Sequence, residues 1–424
     1  MNAPRDVLLG TFQAALAAAD PLRIVPRHLP PPPAGRTLVV GAGKAAAAMA
    51  AAVESGWPES APLDGLVITR YGHGVPTRRV RVVEAGHPVP DEAGEAAARD
   101  ILARARGLGE DDLLLVLVSG GGSSLLSLPV EGIPMADLKA VTRDLLASGA
   151  PIQDMNTVRK HLSAIQGGRL ALATRARVVA LVISDVTGDD PTHIASGPCS
   201  PDPTTYGDAL AILGAWGVTP PASIAAHLAR GAAGAVAETP KPGDPGFARV
   251  EARVIATAQA SLMAAAAFVQ ARGITPMVLG DSVTGESREV AKVHAAIARQ
   301  LRAHAHPFRP PVAVISGGET TVTIRGRGKG GRCSEFLLSL AIELAGLAGA
   351  WALAADTDGI DGAESNAGAV AAPDTLERAA ACGMDARRML ADNDGYGFFS
   401  ALGDLVVTGP TRTNVNDFRV ILVL

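Results

Sequence analysis

Short runs of leucine and β-branched residues alternate along this chain with alanine-rich stretches of helical length, and most runs end in clusters of glycine, serine and aspartate. That alternation constrains the fold most, because it calls for an α/β architecture: a mostly parallel sheet with helices on both faces. In the first half the candidate strands are RTLVVGAG, LDGLVITR, RVRVVEAG, DDLLLVLVSGGG and RVVALVISDV. A stretch rich in Ala, Gly and Pro between Trp216 and Gly246 breaks the rhythm, with ETPKPGDPG as the expected boundary. A second set then begins with ARVIATA and continues through TPMVLGD, PPVAVISGGETTVTI, WALAADTDG, DLVVTGPT and DFRVILVL. The 424 residues exceed the roughly 250–300 at which a single core stops growing. Two domains are therefore expected, an αβα domain over residues 1–237 and a smaller α/β domain over 238–424, with the active site in the cleft between them.

Composition excludes more than it identifies. Lys and Arg (38) nearly balance Asp and Glu (42), so nucleic acid is not an expected partner, whereas a small acidic substrate needs only a few local cations. Cys199, Cys333 and Cys382 are far apart and lack CxxC spacing, which fits packing residues in a reducing, cytoplasmic setting and neither a disulfide framework nor a zinc cage. The first residues mix acidic and basic side chains without a signal-like apolar run, and no segment of about 18 uncharged apolar residues occurs, so no membrane partner is expected. The proline run at 30–33 reads as a rigid connector. A homodimer is compatible with these features.

In open α/β sheets ligands bind beyond the carboxyl ends of strands, so the residues after each apolar run carry the information. They are Gly41-Ala42-Gly43-Lys44, Ser119-Gly120-Gly121-Gly122-Ser123-Ser124 and Ser184-Asp185-Val186-Thr187-Gly188-Asp189-Asp190 in the first half. In the second half they are Ser316-Gly317-Gly318-Glu319-Thr320 and Asp356-Thr357-Asp358-Gly359-Ile360-Asp361, with Gly328-Lys329-Gly330-Gly331-Arg332 between them. Glycine lets a backbone approach phosphate and lysine adds a point charge, although strand-to-helix turns also use glycine for packing alone. No Walker A, HRD or DFG signature is present. Gly41, Gly43 and Ala46 satisfy GxGxxA and admit a dinucleotide reading, but the second strand ends in Thr69-Arg70 and lacks the acidic residue expected to hold a ribose.

Two aspartate groups, Asp185/Asp189/Asp190 and Asp356/Asp358/Asp361, serve either as helix caps or, beside phosphate loops, as ligands of Mg²⁺. Adjacent Arg159 and Lys160 are candidate anion contacts, with a solvated helix face as the plainer account. His87 and His193 lie in proline-bounded loops, where local hydrogen bonding is the usual role.

Taken together, VVGAGKAA, AGHPVPDEAG, VLVSGGGSSLL, MNTVRKHLSAIQGGRLA, SDVTGDDPTHIASGP, SGGETTVTIRGRGKGGRCSEF, ADTDGIDG, DNDGYGFF and TGPTRTNVNDF resemble the glycerate 2-kinase family. Its members join a glycerate-kinase N-terminal domain, here Rossmann-like, to a C-terminal domain containing the MOFRL region, here about residues 311–418. The resemblance implies transfer from ATP, with Mg²⁺, to the 2-hydroxyl of D-glycerate, giving 2-phosphoglycerate. Some members carry the label hydroxypyruvate reductase, so an NAD(P)H-dependent reductase is the alternative, and a non-catalytic sensor of small acid phosphates is a third.

The resemblance also implies Lys44 and Arg332 as essential cations, with Arg332 suited to the glycerate carboxylate, and Asp189 as proton acceptor or metal holder. Glu319 and Asp356 are weaker candidates. Substrate and nucleotide contacts fall on Gly41, Gly43, Ser119, Gly120, Gly121, Gly122, Ser123, Ser124, Arg159, Lys160, Gly318, Glu319 and Lys329, and metal contacts on Asp185, Asp190, Asp356 and Asp358. Lys44 and Arg332, in polar glycine loops, are expected to be dispensable for folding.

Overall fold

A computed structural model describes residues 3–424. By packing, the chain divides into one unit spanning Pro21–Ile255 and another formed by Ala256–Leu424 with the segment up to Asp20. The first unit contains strands β1 (Thr37–Ala42), β2 (Leu63–Arg70), β3 (Val80–Ala85), β4 (Leu113–Val118), β5 (Arg177–Ile183) and β6 (Val250–Ala256). Their spatial order is β3-β2-β1-β4-β5-β6, with β3-β2, β2-β1, β1-β4 and β4-β5 all parallel. β1 and β4 are buried along their whole length because helices cover both faces, which is why TLVVGA and LLLVLV are unbroken apolar runs.

Helix signals match this arrangement. Asp91 caps Glu92–Arg106 by accepting from the Gly94 amide (3.0 Å), with acidic residues in the first turn and arginines in the last. Thr205 and Asp208 form a reciprocal capping box at Tyr206–Ala215. Beside the sheet, Met135–Ser148, Ile152–Leu162, Tyr206–Ala215 and Ala222–Ala232 make a separate helical core around Met155, Val158, Leu162 and Tyr206.

The second unit carries β7 (Thr275–Gly280), β8 (Gly285–Glu286), β9 (Val312–Ser316), β10 (Thr320–Thr321), β11 (Ala350–Asp356), β12 (Gly368–Ala371), β13 (Leu405–Val406) and β14 (Asp417–Val423). Its main sheet runs β13-β12-β11-β14-β9-β7. Only β7-β9 is parallel; β9-β14, β14-β11, β11-β12 and β12-β13 are antiparallel. Helices Pro4–Ala18 and Ala258–Gln270 supply Leu8, Phe12, Leu262 and Val269 to the core on one face. Ser287–His304 and Arg332–Leu344 supply Ala291, Ala295, Phe336 and Leu340 to the core on the other.

Several expectations change. ARVIATA does not open the second set: it is the last strand of the first sheet, so the units part at Ile255/Ala256 and not at 237/238. The helix Pro4–Ala18, expected in the first domain, packs in the second unit, where Phe12 meets Phe418 with ring centroids 5.7 Å apart. Apolar runs do not encode strand direction, so the antiparallel second sheet was not visible in them. Cys199 and Cys333 are buried, the former with its thiol pushed up to about 12 by burial, but Cys382 is exposed and packs against no core. No described helix is long and apolar enough to cross a membrane.

Candidate active site

The strand order of the first unit reverses between β1 and β4, where open α/β sheets form a crevice. The two loops leaving these strands are bonded to one another. The Lys44 amide donates to the Gly120 carbonyl (2.8 Å), and the Ala45 amide donates to the hydroxyl of fully buried Ser119 (3.0 Å). A Cβ on Gly43 would lie 2.1 Å from Ser119 Oγ, and one on Gly41 2.1 Å from Leu117 O. Gly41, Gly43 and Ser119 thus let β1 and β4 close on each other, and the amides a dinucleotide pyrophosphate would need are spent on the β4 loop. The side chain of Lys44 is what this loop presents.

Within the first unit, the loops after β4 and β5 meet beside Lys44. Gly121 has φ +80°, and a Cβ there would lie 2.9 Å from His87 Nε2 and 3.4 Å from Lys44 Cγ; one on Gly122 would lie 2.5 Å from Ala195 Cβ. Ser196 Oγ is 2.9 Å from Ser123 Oγ and 3.1 Å from Asn156 Oδ1, and Asn156 donates to the His193 carbonyl (3.1 Å). Ser124 donates to the Gly121 carbonyl (3.2 Å). The loop after β5 is kept in unusual geometry, with Asp189, Ala195 and Ser196 at positive φ (55°, 50°, 58°), a cost that clusters at functional sites. Asp189 is partly buried there, and Asp185 borders it. Asp190 accepts from the Thr192 amide (2.9 Å): burial raises its pKa, but the bonds to Thr192 outweigh that and hold it low. It is a turn-former. Burial, then Lys160, depress the pKa of His193, keeping the ring neutral near pH 7.

Arg159 and Lys160 part company. Lys160 is 1% exposed and donates to Asp202 Oδ1 (2.8 Å), a carboxylate that is itself fully buried, so its contact with substrate is withdrawn: it belongs to the helical core. Arg159 is partly buried and makes its one described side-chain hydrogen bond to the neutral Asn156 Oδ1 (3.3 Å), and burial pushes its pKa down to about 10.

In the second unit Arg332 begins the helix Arg332–Leu344 and faces three carboxylates. It donates to Asp356 Oδ2 (2.9 Å), to Asp417 Oδ1 (3.2 Å) and to Glu319. Burial opposes its charge, but Asp417, Asp356 and Glu319 outweigh that and raise its pKa well above the ordinary value. The expectation of a solvated, structurally idle arginine is therefore wrong. Gly318, at φ +97°, lets the β9 loop pass within 2.3 Å of Val283 O, as measured from an ideal Cβ, and so brings Glu319 to Arg332. Asp358 accepts from the Ile360 amide (2.8 Å), and Asp361 accepts from the Cys333 and Ser334 amides (2.9 and 2.8 Å), capping the helix.

The loop before Arg332 is also tied down through its main chain. Asn393 Oδ1 accepts from the Arg325 and Gly326 amides (2.7 and 3.1 Å), Asp392 Oδ1 from Arg327 (3.0 Å) and Asp394 Oδ1 from Lys329 (3.1 Å). A Cβ on Gly326 would lie 2.4 Å from Asp392 O. Lys329 has an exposed side chain, 3.8 Å from Glu364. Sequence reasoning missed Asp417, Asn393, Asp202 and Asn156. The quoted motifs TGPTRTNVNDF, DNDGYGFF and MNTVRKHLSAIQGGRLA carried Asp417, Asn393 and Asn156, without a role.

Among the described residues no group of three or more His, Cys, Asp or Glu side chains is arranged to hold a metal ion. Several carboxylate oxygens are committed: Asp356 to Arg332 and the Asp358 amide, Asp417 to Arg332 and Arg419. Half-exposed Glu319 is the most accessible of the cluster. Such a set fits Mg²⁺ only as Mg²⁺ is usually bound, through one or two carboxylates with water and substrate phosphates completing the shell.

Comparison with known proteins bears on the family and the fold. A profile described as a domain of unknown function, DUF4147, matches residues 7–229, and the MOFRL family profile matches residues 312–417. A relative from Agrobacterium vitis with the provisional name hydroxypyruvate reductase is 52% identical, covering 99% of this chain and 94% of its own. A glycerate 2-kinase from Pyrococcus horikoshii is 40% identical, covering 92% and 88%. A crystal structure of a glycerate kinase from Thermotoga maritima superposes with a TM-score of 0.87 at 37% identity, covering 99% of both chains. The chain belongs to the glycerate 2-kinase family, with a DUF4147 region followed by a MOFRL region.

Proposed function

We propose that this protein transfers the γ-phosphoryl group of ATP to the 2-hydroxyl of D-glycerate, giving 2-phosphoglycerate and ADP. The observation that carries this reading over a reductase is the closure of the β1 and β4 loops on each other. With the Lys44 and Ala45 amides bonded to Gly120 and Ser119, no main-chain cradle is left for a dinucleotide pyrophosphate, while a lysine side chain stands beside Gly121. Phosphoryl transfer asks little covalent chemistry of a protein and much positioning and charge neutralisation.

Lys44 neutralises charge on the transferring group. Asp189, held at positive φ in the loop after β5, takes the proton as the glycerate oxygen bonds to phosphorus and the bond to ADP breaks. Arg332 fixes Glu319 and Asp356 as the carboxylates that would hold Mg²⁺, which supplies charge neutralisation at the phosphates.

The reductase reading keeps two points in its favour, the β3-β2-β1-β4-β5-β6 strand order and Arg70 at the end of β2, where a 2′-phosphate could pair. Parallel assays decide. ATP, Mg²⁺ and D-glycerate should yield ADP, while NADH or NADPH with hydroxypyruvate should show no oxidation. The reverse outcome replaces the kinase with the reductase.

A further inference from the structure

Arg159 lies on the helix Ile152–Leu162, one residue before Lys160, and the two cations are treated oppositely. Lys160 has its carboxylate in Asp202. Arg159 has no counter-ion among the described residues: its guanidinium meets only the neutral Asn156 side chain, and burial alone depresses its pKa. A guanidinium partly withdrawn from water without an opposite charge carries a desolvation cost that an anionic ligand would offset.

What Arg159 faces supports that reading. It lines a small recess, partly open to solvent, with Pro88, Ser123, Ser124, Ser163 and Gln166 among its walls. Gln166 is engaged: its amide group donates to the Ser123 and Leu126 carbonyls (2.8 and 3.3 Å) and so braces the loop. Ser163 likewise accepts from the Ile165 and Gln166 amides (3.2 and 3.1 Å). Ser123 and Ser124 share the recess with Arg159, the Ser123 hydroxyl accepting from Ser196 with its own proton still to donate and the Ser124 hydroxyl donating to the Gly121 carbonyl with its oxygen still able to accept, on the loop that also carries Gly121 next to Lys44. One cation, two hydroxyls and apolar walls suit a small hydroxy acid better than a polyphosphate. Arg332 cannot take this role while its fork holds Glu319, Asp356 and Asp417.

We propose that Arg159, lining the Ser123/Ser124 recess, binds the carboxylate of the acceptor and selects 2-hydroxy acids, a role given to Arg332 on sequence grounds. The inference rests on the kinase reading, and its test separates the two. Wild type is assayed first with ATP and D-glycerate; failure there defeats the kinase reading before any variant is made. In Arg159→Ala, KM for D-glycerate should rise at least about 30-fold, the loss typical of removing one partner of a desolvated charge pair. KM for ATP should stay within about twofold, and Arg159→Lys should recover part of the loss. D-Glycerate alone should raise the melting temperature of wild type and not of Arg159→Ala. Unchanged KM for D-glycerate in either folded variant, or a rise confined to KM for ATP, would overturn the assignment. If Arg159→Ala fails to fold, Arg159→Lys alone decides by the same KM comparison.

Discussion

At the scale of single residues, two cations grouped together by sequence turn out to be held very differently. Lys44 projects from a loop whose main chain is already satisfied, whereas Arg332 is the hub of Glu319, Asp356 and Asp417. Both Lys44→Ala and Arg332→Ala should lose at least about 10²-fold in kcat/KM. Only the second should melt early. Removing Arg332 leaves carboxylates facing one another, a change that costs up to about 3–5 kcal/mol when a buried pair is broken. Lys44→Ala should stay within about 1 kcal/mol of wild type. Equal melting temperatures for the two variants would contradict the assignment of Arg332 as a structural hub.

Lys160 and Asp202 give a pH dependence at the same scale. Burial raises the Asp202 pKa, but the Lys160 and Thr204 bonds outweigh it, so the folded value lies below the ordinary 3.8. A carboxyl with a depressed folded-state pKa stabilises the fold fully above its unfolded value, and that contribution is lost as pH falls through the folded value. Asp202→Asn should therefore cost about 3–5 kcal/mol at pH 7, with the gap to wild type narrowing as pH drops below the carboxylate range. Denaturant midpoints at both pH values measure this, and a gap independent of pH would exclude the ion pair as its origin.

At the scale of elements, Asp392, Asn393 and Asp394 hold the loop from Arg325 to Lys329 by its amides, and Asn393 adopts φ 58° to do so. Asn393→Ala leaves the Arg325 and Gly326 amides without their acceptor. Hydrogen exchange across residues 325–329 should then accelerate by at least about tenfold while the strands of the main sheet stay protected. Uniform acceleration throughout the second unit would mean that Asn393 supports the fold at large.

The same loops mark what was legible in the sequence. Glycine clusters after apolar runs pointed to the carboxyl ends of strands, and Lys44, Gly121, Ser123 and Asp189 do follow β1, β4 and β5 there, while Arg159 lies on the helix Ile152–Leu162 and shares a recess with Ser123. Which way a loop's amides face could not be read, because glycine serves a phosphate cradle and a tight strand contact equally well. Nor could Arg159 be told from Lys160, since adjacent helical residues point about 100° apart and only the packed structure shows which one meets Asp202. Strand direction in the second unit was hidden for a similar reason: β12 is four small residues, Gly368–Ala371, with no pattern to announce an antiparallel partner.

For the molecule as a whole, the central claim is a reaction: ATP and D-glycerate give ADP and 2-phosphoglycerate. A reductase would need only a dinucleotide loop, whose amides are here already bonded within the protein. The most direct test is phosphorus NMR of the product formed from ATP, Mg²⁺ and D-glycerate, with phosphorus–proton coupling locating the ester. The expected product is a phosphate coupled to the single proton on C2, formed by wild type and at least about 10²-fold more slowly by Lys44→Ala. Coupling to the C3 methylene, or no phosphorylated glycerate at all beside active reduction of hydroxypyruvate, would contradict it.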